Sequence, residues 1–126
     1  MAGSIRVLAV DEDPDVLELT ETFLRRASDR IAVETETSAS AALDRVAEGE
    51  VDCVVSDFRM PAMDGLELFE AIRETDPDIP FFLFTAAADR ETSEAALSAG
   101  VTGFVRKGSG TEHYEELADL ITDAVG

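Results

Sequence analysis

The chain has 126 residues, 45% of them hydrophobic, and 28 acidic residues against 10 basic ones give a net charge of −18. This length predicts one domain with a real core, and the hydrophobic fraction excludes a disordered chain. No apolar run approaches the roughly 18 residues that cross a bilayer, and the N-terminus lacks the pattern of a signal peptide. We therefore expect a cytoplasmic protein that makes no contact with a membrane.

The acidic residues are scattered along the chain and form no acidic tail. Phosphate backbones repel such a surface, so we expect no direct binding to nucleic acid. The excess indicates either a solvating shell suited to high salt, as in a halophile, or an ordinary acidic cytosolic protein. The halophilic interpretation is favoured because nine of the ten basic residues are Arg and only Lys107 is a lysine.

The first predicted element is the apolar run from Ile5 to Val10, which is short enough for a strand buried on both faces. It ends at the acidic residues Asp11, Glu12 and Asp13. Asp13 followed by proline is typical of the N-cap and first turn of a helix, and apolar residues at helical spacing continue that helix.

Four further strand–helix pairs follow along the chain. Strands are predicted at 31–35, 51–56, 81–84 and 103–106. Helices are predicted from the cap Ser38 to 48, from the cap Asp64 to about 75, from about Asp89 to 99, and after the loop 108–110. Gly49 and Gly100 are the predicted stops of the second and fourth helices.

Five strand-then-helix units predict a parallel sheet with helices on both faces, joined by right-handed crossovers into a doubly wound sandwich. Ligands of such sheets bind at the carboxyl ends of the strands. At four of these ends the sequence supplies Asp11 with Glu12, Asp57, Thr85 and Lys107. We therefore expect these side chains to converge on one site.

The predicted site has the chemistry of phosphoryl transfer. Three neighbouring carboxylates repel one another unless a cation joins them, and hard oxygen ligands favour Mg²⁺, or Mn²⁺ as a substitute, over zinc. Lys107 and the hydroxyl of Thr85 can hold phosphoryl oxygens, while Asp57 can act as the nucleophile and form an acyl phosphate.

The ordered set of motifs resembles the receiver domain of the two-component response-regulator family over essentially the whole chain, from Ile5 to Val125. The residues that carry the resemblance are Asp11-Glu12, Asp57 with Met60-Pro61 and Asp64-Gly65, Thr85-Ala86, and Phe104 three residues before Lys107. The resemblance implies a flavodoxin-like (βα)5 sheet of strand order 2-1-3-4-5. We expect a single receiver domain over residues 1–126 with no output domain present, either as a stand-alone regulator or as a receiver cut from a larger sensor kinase or regulator.

The same resemblance implies the chemistry of each site residue. Asp57 accepts a phosphoryl group from the phosphohistidine of a sensor histidine kinase, and Thr85 and Lys107 bind that group. The implied ligands of Mg²⁺ are Asp11, Glu12, Asp57 and the backbone carbonyl of Arg59.

The resemblance also implies a switch. Thr85 moves toward the phosphate and Phe104 turns inward, which changes the partner preference of the face formed by the fourth helix, fifth strand and fifth helix. The partner is an output protein or domain that the sequence does not identify. A homodimer through the fourth and fifth helices is a further implication.

Three features depart from the common pattern of the family. Glu12 stands where a second Asp is frequent, and Gly108 follows Lys107 where a proline in a cis peptide is common. Arg59 and Ala87 occupy positions that tune the lifetime of the phosphate in this family.

Three functions remain open from the sequence. The leading hypothesis is a phosphorylatable receiver, which is a binding switch that assists only its own phosphorylation and dephosphorylation. The second is a small Mg²⁺-dependent phosphohydrolase with Asp57 as nucleophile, although Arg59 stands where a general acid would be expected. The third is a receiver-like interaction module that takes no phosphate.

Two further residues have reactive side chains but are given a structural role. His113, the only histidine, is predicted to be a surface residue outside the strand-end site. Cys53 lies in an apolar run and is predicted to be a buried structural thiol. The aromatic residues predicted to belong to the core are Phe81, Phe82, Phe84 and Tyr114.

Overall fold

The computed structural model describes residues 4–86, 90–108 and 111–125. Within them the elements are β1 (Ile5–Val10), α1 (Pro14–Ala27), β2 (Ile31–Glu36), α2 (Ala39–Ala47), β3 (Cys53–Ser56), α3 (Gly65–Thr75), β4 (Phe81–Thr85), α4 (Arg90–Ala99), β5 (Gly103–Arg106) and α5 (Glu112–Val125). The predicted helix start at Asp89, the position Ala87 and the loop residues 109–110 lie outside the described residues. None of the described helices is both long and apolar enough to cross a bilayer.

The five strands form one parallel sheet in the order β2-β1-β3-β4-β5, which confirms the predicted fold. The chain goes from β1 outward to β2 and then returns past β1 to β3, so the winding direction reverses between β1 and β3. The ends of these two strands are in register, with Val10 beside Ser56. Ligand sites of doubly wound sheets lie at this reversal, outside the carboxyl ends of the strands.

Each face of the sheet is covered by helices, which explains why its central strands are apolar without alternation. On β4, Phe82 and Phe84 pack with α1 and α5, whereas Phe81 and Leu83 pack with α2, α3 and α4. All four side chains are almost completely buried. The aromatic cluster predicted as core is therefore divided between two cores, one on each face.

Side-chain caps fix the starts of three helices, as the sequence predicts. Asp13 and Ser38 each accept a hydrogen bond from a backbone N–H of the first turn of α1 and α2. Asp64 forms a reciprocal capping box with Glu67, in which each side chain accepts the backbone N–H of the other residue. The caps satisfy N–H groups that have no partner within the helix.

Three strand boundaries differ from the predicted ones. β3 begins at Cys53, two residues later than the predicted start at Val51. The carboxylate of Asp52 accepts the N–H of Arg6 at 2.9 Å, so a side chain occupies the place of a strand carbonyl there. β2 and β4 each run one residue further than predicted, to Glu36 and Thr85.

Gly65 lies where the start of α3 passes closest to the end of β3. A Cβ atom at this position would lie 2.6 Å from the carbonyl oxygen of Asp57 and 2.7 Å from a methyl carbon of Leu83. The N–H of Gly65 donates to the carbonyl of Phe58 at 2.7 Å, which draws the loop back onto the strand end. The absence of a side chain therefore allows the close approach that shapes the loop after Asp57.

We expect Gly65→Ala to lower the free energy of unfolding by about 1–3 kcal/mol, because backbone and side-chain atoms would have to move away from the added methyl group. Urea unfolding followed by circular dichroism measures this change. Gly108→Ala is the matched control, since a Cβ atom there meets nothing within 4 Å. Equal unfolding midpoints for the two variants would contradict the close-approach argument.

Candidate functional site

The carboxyl edge of the sheet brings together side chains from β1, β3, β4 and β5. Asp11 follows β1, Asp57 follows β3, Thr85 ends β4 and Lys107 follows β5. Asp11 and Thr85 are buried, and Asp57 and Lys107 are half-buried. Asp11 and Asp57 line the same pocket, whose volume is about 10 Å³. Two of the predicted site residues, Asp11 and Asp57, therefore line one small cavity at this edge.

An ion pair connects the two sides of this edge. Lys107 Nζ lies 2.9 Å from Asp11 Oδ2, and the two side chains are only 17% and 7% exposed. β3 and β4 lie between β1 and β5, so the lysine side chain reaches across two strand ends. The backbone N–H of Lys107 donates to the carbonyl of Thr85 at 3.0 Å, which fixes the base of that side chain. The positive charge is thereby held over the site.

Both aspartates are oriented by hydrogen bonds from nearby backbone. Asp11 Oδ1 accepts the N–H of Asp13 at 2.9 Å, while its other oxygen accepts from Lys107. Asp57 Oδ1 accepts the N–H of Phe58 at 2.8 Å. The N–H of Asp57 in turn donates to the carbonyl of Val10 at 2.9 Å, which ties the end of β3 to the end of β1. The two carboxylates are therefore held at the reversal point of the sheet.

The donor set can be compared with the needs of Mg²⁺, which commonly takes one or two protein carboxylates and completes its shell with water and phosphate oxygens. Asp11 and Asp57 line the same cavity and match that number of carboxylates. Glu12 and Arg59 are exposed. In the part of the chain that the structure describes, no group of three or more His, Cys, Asp or Glu side chains is arranged to hold a metal ion. The predicted roles of Glu12 and Arg59 stay predictions.

The two predicted switch residues occupy different environments. Thr85 is buried with 1% exposure. Phe104 is half-buried and packs against the core between the sheet and the helices α2, α3 and α4. Their strands are neighbours, with Leu83 beside Phe104 in the register. Their predicted coupled movement stays a prediction.

Lys107 has a second neighbour, Phe84, which was predicted from the sequence to be a core residue only. Its Nζ atom lies 5.2 Å from the ring centroid of Phe84. The ring also lines the pocket shared by Asp11 and Asp57. One sequence signal could have indicated this position, because Phe84 directly precedes Thr85 at the end of β4. The apolar character of the segment favoured the core interpretation instead.

His113 is half-buried, whereas the sequence predicts a surface residue. Its ring lies 5.5 Å from that of Phe84 and 4.2 Å from that of Tyr114. The signal for this placement was its helical spacing, since His113 precedes the buried residue Leu117 by one turn. It therefore belongs to the aromatic cluster beneath Lys107.

The prediction for Cys53 is confirmed. The side chain is fully buried in the core that faces α1 and α5. Burial raises the pKa of the Cys53 thiol, and the nearby charge of Asp52 adds to that effect. A thiol that stays protonated and inaccessible is chemically inert.

The sequence of this chain is similar to a known protein family. Residues 7–119 match the family model described as "Response regulator receiver domain". The chain is 37% identical over 101 residues to the transcriptional regulatory protein GlrR of Escherichia coli, which covers 80% of this chain and 22% of GlrR. The chain thus spans less than a quarter of that relative's length.

Solved structures show the same fold. The response regulator receiver domain protein of Clostridium thermocellum superposes with a TM-score of 0.84 at 21% identity, covering 96% of this chain and 94% of that one. The chemotaxis protein CheY4 of Vibrio cholerae superposes with a TM-score of 0.82 at 25% identity, covering 94% of this chain and 99% of CheY4.

The environment of His113 generates a prediction about pH. Burial lowers the pKa of His113, and the charge of Lys107 lowers it further, against the opposing effect of Glu112 and Glu116. The unfolded chain, whose histidine has a pKa of about 6.5, therefore binds more protons than the folded chain just below that pH. Stability from this group is complete above the unfolded pKa and is lost as pH falls through the folded pKa.

The sole imidazole can be titrated by NMR, and we expect its pKa to lie below that of a free histidine and to rise in Lys107→Met. The control Arg90→Met removes a cation on the exposed surface of α4 and should leave the pKa unchanged. In urea unfolding, His113→Gln should weaken the fall of stability on acidification. A pKa at or above that of free histidine would contradict the described burial.

Proposed function

The chain belongs to the response regulator receiver domain family, and from that premise we propose that it is a receiver phosphorylated on Asp57 by a sensor histidine kinase. It acts as a switch for partner binding and not as an enzyme with its own substrate turnover. The observation that supports this most directly is the shared pocket of Asp57 and Asp11, beside the ammonium of Lys107.

The proposed reaction is a phosphoryl transfer between two side chains. A carboxylate oxygen of Asp57 attacks the phosphorus of a phosphohistidine whose ring carries a proton on its other nitrogen, the nitrogen–phosphorus bond breaks, and the neutral imidazole of the kinase leaves. An acyl phosphate on Asp57 is the product. Positioning and charge compensation carry most of the catalysis in such transfers.

Lys107 supplies the mobile charge in this proposal. It pairs with Asp11 at 2.9 Å before the reaction, and its flexible side chain can exchange that partner for an oxygen of the incoming phosphoryl group. The hydroxyl of Thr85, at the end of the neighbouring strand, would hold another phosphoryl oxygen. The movement of Thr85 toward the phosphate would then allow Phe104 to turn inward.

A divalent cation is proposed to bind the two carboxylates at the carboxyl edge of the sheet. Asp11 and Asp57 would hold Mg²⁺, with Glu12 and the carbonyl of Arg59 as the further proposed ligands. The cation would neutralise negative charge that gathers on the phosphoryl oxygens. Lys107 and Mg²⁺ would compete for the carboxylate of Asp11. A shift of Lys107 to the phosphoryl group would therefore free one oxygen of Asp11 for the metal.

The proposed output face consists of α4, β5 and α5. Leu97 on α4 is 58% exposed and lies on this proposed face, but Leu19 on α1 is 50% exposed as well, and a single exposed leucine is common on protein surfaces. GlrR is named a transcriptional regulatory protein, and the chain spans 22% of it. The predicted lack of nucleic-acid binding therefore concerns the acidic surface of this chain alone and stays a prediction, as do the homodimer and the adaptation to salt.

We expect the protein to gain one phosphoryl group in intact mass after incubation with acetyl phosphate and Mg²⁺. Asp57→Asn should show no gain, because an amide cannot form the acyl phosphate. Asp52→Asn, at the opposite end of the same strand segment, is the matched control and should be phosphorylated like the wild type. A gain in Asp57→Asn would identify a different acceptor.

Two other results would favour the rival functions. Sustained hydrolysis of small phosphomonoesters, abolished in Asp57→Asn, would indicate a phosphohydrolase. An unchanged wild-type mass in the presence of bound Mg²⁺ would indicate an interaction module that takes no phosphate.

Binding of Mg²⁺ should depend on Asp11 and be opposed by Lys107. In isothermal titration calorimetry we expect Asp11→Asn to weaken Mg²⁺ binding by at least about tenfold, because a charged ligand is lost. Lys107→Met should strengthen it, since Asp11 no longer pairs with an ammonium. The control Asp15→Asn changes an exposed carboxylate on α1 and should bind like the wild type. An unaltered affinity in Asp11→Asn would exclude Asp11 as a ligand.

A further inference from the structure

The proposed reaction requires the ammonium of Lys107 to stay at the site while its anionic partner changes. In the structure Lys107 pairs with Asp11 at 2.9 Å, and the proposed reaction requires it to leave that carboxylate for a phosphoryl oxygen. A lysine side chain has four rotatable bonds and loses much conformational freedom when it is fixed in one place. A second contact that does not depend on the anionic partner would keep the ammonium near the reaction centre during the exchange.

Phe84 makes such a contact. The Nζ atom of Lys107 lies 5.2 Å from its ring centroid, within the range of about 6 Å over which a cation is attracted by an aromatic face. Phe84 is 2% exposed, so little water competes with this attraction. Its ring also lines the pocket of Asp11 and Asp57, which places the contact inside the site.

The ring of Phe84 is itself held in place by further aromatic residues. His113 lies 5.5 Å from it in a stacked arrangement, and Tyr114 lies 5.5 Å from it at a tilt of 58°. Tyr114 in turn stacks on Phe23 of α1 at 5.1 Å. Rings from three elements thus form a fixed support under the ammonium of Lys107.

We infer that Phe84 is a positioning residue for Lys107, which keeps the ammonium over the site whether its anionic partner is Asp11 or the phosphoryl group. The inference rests on the proposed function for its effect on phosphorylation, but the ordering of the ammonium can be measured without any phosphoryl donor. The face of the ring attracts the cation without forming a directional hydrogen bond. The ammonium can therefore turn from one oxygen to another while the contact persists.

The alternative is that Phe84 serves only to fill the core. Phe82 provides the comparison, because it lies on the same strand and the same face and is 1% exposed. Its ring lies against Gly103, where an added Cβ would be 2.8 Å away. If both rings serve only to fill the core, a substitution that keeps the ring shape and reverses the charge on its face should affect the Lys107 ammonium alike at the two positions.

The experiment replaces Phe84 with pentafluorophenylalanine, which keeps the shape of the ring but reverses the sign of charge on its face. The same replacement at position 82 is the control, and Phe84→Tyr is the conservative variant that retains an electron-rich ring. Lys107 is the only lysine, so its ammonium gives a single side-chain signal in ¹⁵N NMR. The order parameter of this ammonium is measured without a phosphoryl donor, and urea unfolding is recorded for every variant.

We expect the fluorinated ring at position 84 to lower the order parameter of the Lys107 ammonium, and the same ring at position 82 to leave it unchanged. The rate of phosphorylation by acetyl phosphate should fall by about 3- to 10-fold for position 84 and stay within about twofold for position 82 and for Phe84→Tyr. An ammonium equally ordered in all variants would overturn the inference. Loss of order at position 84 in a protein that takes no phosphoryl group would support the positioning contact while refuting the proposed function.

Discussion

The ion pair between Lys107 and Asp11 spans the carboxyl edge of the sheet. It joins the end of β5 to the end of β1 across the ends of two intervening strands, with little exposure of either side chain. Removing one partner of such a pair leaves a poorly solvated charge, so each charge constrains the other. Asp11 is also bonded to the backbone of Asp13, which links the pair to the cap of α1. Asp57 lines the same cavity as Asp11 and therefore lies beside this connection.

The surroundings of the pair divide into a polar side and an aromatic side. On the polar side Asp57 shares a pocket with Asp11, and its backbone is tied to the end of β1. On the aromatic side Phe84 lies beneath the ammonium, with His113 packed against the ring. An ammonium between a carboxylate and an aromatic face can change its anionic partner without leaving the site. This arrangement suits the proposed exchange of Asp11 for a phosphoryl oxygen.

The loop after β3 shows how strongly backbone packing shapes this edge. Gly65 approaches the carbonyl of Asp57 more closely than any residue with a Cβ atom could, and Asp64 caps α3 directly before it. The cap and the close approach together fix where α3 begins relative to the strand end. The backbone at Asp57 and Phe58 is consequently held between the end of β3 and the start of α3, on elements whose positions are set by the two cores.

The sequence alone determined the alternation of strands and helices, the parallel sheet and the caps at Asp13, Ser38 and Asp64, because hydrophobic periodicity and capping chemistry are local properties. It also indicated which residues follow the strand ends. Only the tertiary structure decided that Asp11 pairs with Lys107, that Glu12 is exposed, and that Phe84 and His113 support the ammonium. These contacts join residues up to 96 positions apart, and side-chain direction at a strand end depends on neighbouring strands that the local pattern does not specify.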